Sequence, residues 1–410
     1  MPILENKRVV LGVTGSIAAY KAADLASKLT QVGAEVHVIM TADAKHFVAP
    51  LTFEAVTGNP VFDDLWQSSS GTMPTHIAHI GLAESADLIL IAPATANTIA
   101  KIAHGLAHDL LSVTVLAARC PVVVAPAMDG GMYENPATQA NLRILRERGI
   151  TIIEPEWGRF ASGLEGRGRL PETLTLIGEV RRILGRNGVL AGRQVVVTAG
   201  GTIEDLDPVR YITNRSSGKQ GFAVAQAALD AGASLTLITT VKSLPEPVGA
   251  EIMYVRSAEE MLGAVLKQAD CDVLIMAAAV ADFRPAAVAS HKIKKQDAGL
   301  TITLEKNPDI LFTVGQQRLQ TKLPRILIGF AAETDDLIAN AKAKLDKKNA
   351  DMIVANDVSV PGAGFEGDTN VVTLITADAP PQTLEKMSKT EVAAAIIQWA
   401  AGKLTASAES

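Results

Sequence analysis

Cysteine, aromatic residues and long apolar runs are all scarce in this chain. Only two cysteines occur in 410 residues. Cys120 and Cys271 each stand at the mouth of an apolar, strand-like run, which suggests buried thiols in a reducing compartment rather than a disulfide framework. Aromatic residues make up 4% of the chain against 48% hydrophobic residues in all, so its cores are aliphatic, as in layered α/β domains. No apolar stretch approaches membrane-spanning length, and the run in MPILENKRVVLGVTG breaks at glycine too early for a signal sequence. A soluble cytoplasmic protein is expected. The formal net charge of −6 leaves no basic surplus for a nucleic-acid partner. Two phosphate-binding fingerprints are also missing, the Walker A motif and the full G-x-G-x-x-G. His76 and His79 stand three apart, but no cysteine or carboxylate completes a metal site around them.

A chain of 410 residues is too long for one ordinary domain, so two or three cores are expected. Residues 8–41 predict strand, turn, helix and strand: RVVLGV, then Thr14-Gly15-Ser16, then Ile17 to Val32, then EVHVIMT. The turn offers a hydroxyl and free backbone N–H groups at a helix N-terminus, an anion site suited to a single phosphate. From Ala86 the pattern repeats, with Pro93, Thr95, Asn97 and Thr98 in the loop, and PVVVAPAMDGGMYENPAT gives a third strand ending in a polar loop. Three such strand ends predict one crevice at the carboxyl edge of a parallel sheet. The glycine density of GRFASGLEGRGRL (158–170) argues against regular structure and for a ligand-covering flap. A polar helix-like stretch over 171–192 then marks a domain boundary near residue 189.

The second half is organised around VVVTAGGTIEDLDPVRYITNRSSGKQGF (195–222). An apolar strand leads through Gly200 and Gly201 into a long loop whose Asn, Ser, Arg and Lys residues suit phosphate and carboxylate groups. GAEVHVIMT (33–41) parallels GASLTLITT (232–240), and ADLILIAPATAN (86–97) parallels CDVLIMAAAVAD (271–282), so both halves follow a related plan. Beyond Asp282 come HKIKK (291–295), EKNPDI (305–310), GFAAET (329–334) and KAKLDKKNAD (342–351). Any one lysine run reads as a solvated helix face. Together with Arg210 and Asn214 the clusters suggest a pocket for a polyanion, with a nucleoside triphosphate as the candidate.

With these residues the chain resembles the bacterial bifunctional coenzyme A biosynthesis proteins, phosphopantothenoylcysteine decarboxylase fused to phosphopantothenate–cysteine ligase. The resemblance rests on DPVRYITN, SSGKQG, AAAVAD, KNPDI and GFAAET in the second half, and on GSIA, PATANT, PAMDGGMY and ASG-x4-GRL in the first. It implies two three-layer Rossmann-like α/β domains with mainly parallel sheets: a flavodoxin-like flavoprotein domain over 1–189 and a ligase domain over 190–410. The implied substrates are 4′-phosphopantothenate, cysteine and CTP, with FMN and Mg²⁺ as cofactors. The resemblance assigns CTP binding to Ala278, Asp282, Lys292, Lys306, Asn307, Pro308, Asp309, Phe330, Lys344 and Lys348. Handling of the acyl-cytidylate falls to Asn214, with Arg210 beside it, and Lys292 also serves the second half-reaction. FMN falls to Gly15, Ser16, Ile17, Thr41, Pro93, Thr95, Asn97, Ser112 and Met128, and His76 matches the catalytic histidine. A homo-oligomer is implied, with trimeric flavin domains and dimeric ligase domains.

Two positions depart from the family pattern. Asp129 stands where the family has an asparagine, and Ser162 where a flap cysteine donates the final proton. A serine hydroxyl is a far weaker acid than a thiol, so Asp129, if protonated, could supply that proton. The alternatives are an active ligase whose FMN domain is an incomplete decarboxylase or a regulator. An NAD(P) dehydrogenase fits poorly without the dinucleotide fingerprint.

Overall fold

The computed structural model describes residues 3–66, 78–160, 163–294, 300–333, 336–357 and 367–409. The chain divides into two compact units, Pro2–Leu184 and Gly185–Ser410. Among the described residues no helix is long and apolar enough to cross a membrane.

In the first unit β1 (Arg8–Val13), β2 (Glu35–Met40), β3 (Val61–Phe62), β4 (Leu88–Ala94), β5 (Val122–Pro126) and β6 (Thr151–Ile152) form one parallel sheet. Its order is β3-β2-β1-β4-β5-β6, so the winding reverses between β1 and β4. Parallel strands are covered on both faces, and β1, β2 and β4 accordingly read as continuous apolar runs. Alternate residues of each strand feed two cores. Val9, Leu11, Val36 and Val38 meet α1 (Ala19–Gln31), whose Ala22, Leu25, Ala26 and Leu29 recur at helical spacing. Val10, Ile39, Ile89 and Ile91 pack on the other side. There they meet α3 (Ala78–Ser85), α4 (Ala96–His104), α5 (Leu110–Ala117) and α7 (Pro136–Glu147), which follow α2 (Pro50–Thr57) and flank the short α6 (Gly130–Glu134). The polar-looking stretch after residue 170 is amphipathic. It forms α8 (Thr173–Gly185), which buries Leu176, Ile177, Val180 and Ile183 in the α1 core.

The glycine-rich segment expected to lack regular structure is instead an antiparallel hairpin, β7 (Glu156–Arg159) paired with β8 (Glu165–Arg169). The glycines serve close approach. A side chain at Gly158 would strike Arg169, and one at Gly166 would press on the ring of Phe160.

The second unit repeats the winding. β9 (Gln194–Ala199) leads into a two-stranded arm, β10 (Ile203–Asp205) and β11 (Tyr211–Thr213), inside what the sequence presents as one polar loop. Next come β12 (Ser234–Thr239), β13 (Glu251–Tyr254) and β14 (Val273–Met276), then a second arm, β15 (Phe283–Pro285) with β16 (Leu304–Lys306). β17 (Ile326–Glu333) and β18 (Met352–Asp357) complete the parallel part, and β19 (Thr369–Thr376) and β20 (Gln382–Ser388) add two antiparallel strands. The order is β13-β12-β9-β14-β17-β18-β19-β20. The strands of the two sequence parallels therefore hold corresponding positions: β2 and β12 beside the central strand, β4 and β14 across the reversal. The helices are α9 (Lys219–Asp230), α10 (Ala258–Gln268), α11 (Ile310–Thr321), α12 (Leu337–Lys348) and α13 (Lys389–Glu409).

Candidate functional site

Ligands of open α/β sheets bind beyond the carboxyl ends of the strands, where the winding reverses. In the first unit that edge is laced together by hydroxyls. Thr14, enclosed at the end of β1, donates to the Pro93 carbonyl at 2.7 Å and accepts from the Thr95 N–H at 3.0 Å. Thr95 in turn accepts from the Thr98 N–H and caps α4. Ser16 reaches the Ala127 carbonyl at 3.4 Å, and the Ala127 N–H donates to Ala94. Thr41, beyond β2, caps a short 3-10 turn holding Asp43, and a Cβ on Gly15 would collide with Asp43. Three strand ends and one turn thus share a single rim. Ile17 and Asn97 are exposed on it. Ser112 is buried, and its hydroxyl closes a capping box with Asp109 at the start of α5. α5 approaches β1 closely because position 12 is glycine, where a Cβ would stand 2.6 Å from Leu111.

The hairpin closes on this rim. The Met128 N–H donates to the Gly168 carbonyl at 3.0 Å, and the Phe160 ring lies against Gly130, Gly166 and Gly168. Asp129 caps α6 by accepting from the Gly131 N–H at 3.1 Å. Four residues on, the Tyr133 hydroxyl donates to Glu154 at 2.6 Å. Burial, then the Glu154 carboxylate, push the Tyr133 phenol up to about 12.

In the second unit the corresponding rim is built on backbone carbonyls. The Asn214 amide donates to Val280 at 3.1 Å and to Ala279 at 3.3 Å. The Asn307 amide donates to Ala281 at 2.8 Å, and the Asn307 N–H to Asp282. The Asn307 Oδ1 is buried without a partner among the described residues, an acceptor suited to a donor group on a bound nucleoside. Ala278 donates to Thr198, and Phe330 is half-buried on β17. Asp309 caps α11, pairs with Lys348 and follows Pro308 on this rim. Burial pushes the Lys348 ammonium below the usual lysine range, and nearby Asp282 opposes that fall. Lys292 and Lys306 are exposed, and Lys344 is half-buried on α12.

Two family models match in tandem, the flavoprotein family over residues 3–185 and the C-terminal domain of the DNA/pantothenate metabolism flavoproteins over 190–403. The chain is 47% identical over 400 residues to the coenzyme A biosynthesis bifunctional protein CoaBC of Bacillus subtilis, covering 97% of each chain. It belongs to the bifunctional CoaBC family. The Vibrio cholerae CoaBC is 45% identical over 400 residues, covering 97% of this chain and 98% of its own. A crystal structure of a CoaBC C-terminal domain matches 53% of this chain and 98% of its own, at 39% identity and a TM-score of 0.45. As a CoaBC protein the chain is a bifunctional enzyme of coenzyme A biosynthesis whose first half is a flavoprotein domain.

Of the residues singled out from the CoaBC resemblance, His76 and Ser162 lie outside the described residues. Three other residues gained no role from the sequence. Thr14 was one member of a turn, Phe160 one apolar residue in a glycine-rich segment, and Asp207 one acid in a polar loop. Asp207 is enclosed, and its carboxylate accepts five hydrogen bonds. The Arg210 guanidinium, then the N–H groups around it, hold this carboxyl far below the usual carboxylate range. Its sequence signals were the Asp-Pro turn and its place at the head of DPVRYITN.

Proposed function

We propose that this chain ligates cysteine to 4′-phosphopantothenate using CTP, then decarboxylates 4′-phosphopantothenoylcysteine to 4′-phosphopantetheine. Residues 190–410 carry the ligase and residues 1–189 the decarboxylase, with FMN as its cofactor. The observation that carries the ligase part of this reading is the convergence of Asn214 and Asn307 on consecutive carbonyls, Ala279 to Asp282, where the second sheet reverses.

A carboxylate accepts an amine only after one oxygen becomes a leaving group. In the ligase the 4′-phosphopantothenate carboxylate attacks the α-phosphate of CTP, expelling pyrophosphate, and the cysteine amine then displaces CMP. Ala278, Asp282, Lys306 to Asp309 and Phe330 hold the nucleotide, while Lys292, Lys344 and Lys348 face its phosphates. Asn214 and Arg210 hold the acyl-cytidylate. Mg²⁺ brought in with the triphosphate would neutralise the leaving charge.

The rim of Gly15, Ser16, Ile17, Thr41, Pro93, Thr95, Asn97, Ser112 and Met128 suits a phosphorylated flavin: it is rich in hydroxyls, and Gly15 leaves no room for a side chain beside Asp43. A flavin held there would supply a reversible two-electron acceptor for the thiol-bearing end of the substrate. His76 orients the substrate beside it. Asp129 supplies the closing proton in place of the flap cysteine that Ser162 replaces in the sequence. Exposed Val209, Tyr211, Phe283 and Leu304 on the two arms support self-association of the ligase domain. Trimeric packing of the flavin domains completes a homo-oligomer, and the unpaired Cys120 and Cys271 support a cytoplasmic setting.

The test gives 4′-phosphopantothenoylcysteine to the purified protein with its flavin and follows product mass and carbon dioxide. 4′-Phosphopantetheine is expected. A product lighter by two hydrogens would remove the reduction from this reading, and unchanged substrate would leave only the ligase.

A further inference from the structure

Lys292 stands on a segment without helix or strand, exposed together with Lys294 and flanking the half-buried Ile293. Something must hold such a segment if its lysine is to meet a triphosphate in one geometry. The backbone N–H and carbonyl of one residue, Ile293, do this. The Ile293 N–H donates to Asp207 Oδ2 at 3.0 Å, and the Ile293 carbonyl accepts from an Arg210 terminal nitrogen at 2.8 Å. Asp207 and Arg210 are themselves locked together. Arg210 Nε and the same terminal nitrogen reach Oδ2 at 3.0 and 2.6 Å, while the Val209 and Arg210 N–H groups reach Oδ1, each at 2.8 Å. The Leu206 and Asp207 N–H groups close the turn on the Arg210 carbonyl. A further strut runs from the Ala289 N–H to the Leu206 carbonyl.

We propose that Asp207 is a positioning residue of the ligase: it sets the Arg210 guanidinium and, through Ile293, the place of Lys292. The clamp stands on hydrogen-bond geometry alone, and its bearing on nucleotide binding rests on the role given to Lys292 above. An asparagine at 207 would turn an N–H₂ toward N–H groups that now share a carboxylate, and the Ile293 peptide would be released. An acid buried in the turn thereby governs a lysine 85 positions along the chain.

The experiment compares wild type, Asp207→Asn, Lys292→Gln and the double variant as full-length protein. Trypsin cleavage after Lys292, followed by mass spectrometry, reads the clamp directly. Cleavage about tenfold faster in Asp207→Asn is expected from losing charge-assisted bonds, in excess of the change at a tryptic site away from this clamp, such as Lys267, which reports any general loss of stability. An unchanged cleavage rate would overturn the proposal. Should Asp207→Asn fail to fold, Arg210→Gln removes the bond to the Ile293 carbonyl and is held to the same outcome. Steady-state ligation supplies the second reading. KM for CTP should rise about tenfold in Asp207→Asn with a smaller change in kcat, and in that KM the double variant should be no worse than Lys292→Gln alone. Multiplying effects would mean that Asp207 acts apart from Lys292, against the proposal. Faster cleavage with CTP binding intact in Lys292→Gln would keep the clamp and remove the nucleotide role of Lys292.

Discussion

The ring of Phe160 rests on Gly130, where a Cβ would stand 3.1 Å from its edge. One residue before Gly130 is Asp129, and Phe160 opens the turn of the hairpin: its N–H donates to the Leu164 carbonyl at 2.8 Å, and its own carbonyl accepts from the Gly163 N–H. The contact is what seats the hairpin turn against the helix that Asp129 caps.

Phe160→Ala removes that seat without touching flavin or nucleotide residues. Decarboxylation should fall about ten- to hundredfold, as expected when reacting groups are displaced by an ångström or so. Ligation by the same preparation should be unaltered. Separate assays of carbon dioxide release and pyrophosphate release check this, and an equal loss in both would contradict it.

Thr14→Val keeps shape and removes the hydroxyl shared by the Pro93 carbonyl and the Thr95 N–H. The buried Pro93 carbonyl and the half-buried Thr95 N–H then lose a partner, at a cost of about 1–3 kcal/mol. A lower melting midpoint for the flavin-containing unit and faster flavin loss on dilution are expected. Thr14→Ser, which retains both bonds, should stay near wild type.

Asp129→Asn preserves the cap, because an amide oxygen accepts from the Gly131 N–H as a carboxyl oxygen does. It removes the acid. Decarboxylation should then stop at the unsaturated product, two hydrogens lighter, with flavin content unchanged. Full conversion to 4′-phosphopantetheine by this variant would reassign the proton donor.

Tyr133 gives a pH signature. Its phenol is pushed up to about 12 in the folded protein, above about 10 for a free tyrosine. A raised folded value means that the contribution to stability is whole below about pH 10 and is lost as pH climbs toward 12. Denaturation midpoints of the first unit between pH 8 and 12 should fall along that limb. In Tyr133→Phe the limb should flatten, and a curve unchanged by the substitution would remove Tyr133 as its source.

The sheets were legible because parallel strands buried on both faces leave uninterrupted apolar runs such as RVVLGV and LILIA. The rims were legible as loops at the strand ends, through Thr95, Asn97 and Asn214. The hairpin was misread because its glycines look like chain breakers in isolation. Their use depends on Phe160 and Arg169 lying over them, which is a tertiary fact. Asp207 was hidden for a similar reason. Two of its donors lie within three residues, but Ile293 comes from a segment that only the completed fold brings near.

The strands at the rims of the two sheets have a bearing on crowding. β3 and β6 are two residues long, and β13 is four. β20, the long one, carries Glu385 and Lys386, both exposed. Short or charged borders give a neighbouring chain little backbone to zip onto. A protein so bordered is guarded against edge-to-edge pairing of its sheets, whatever assembly its other surfaces make.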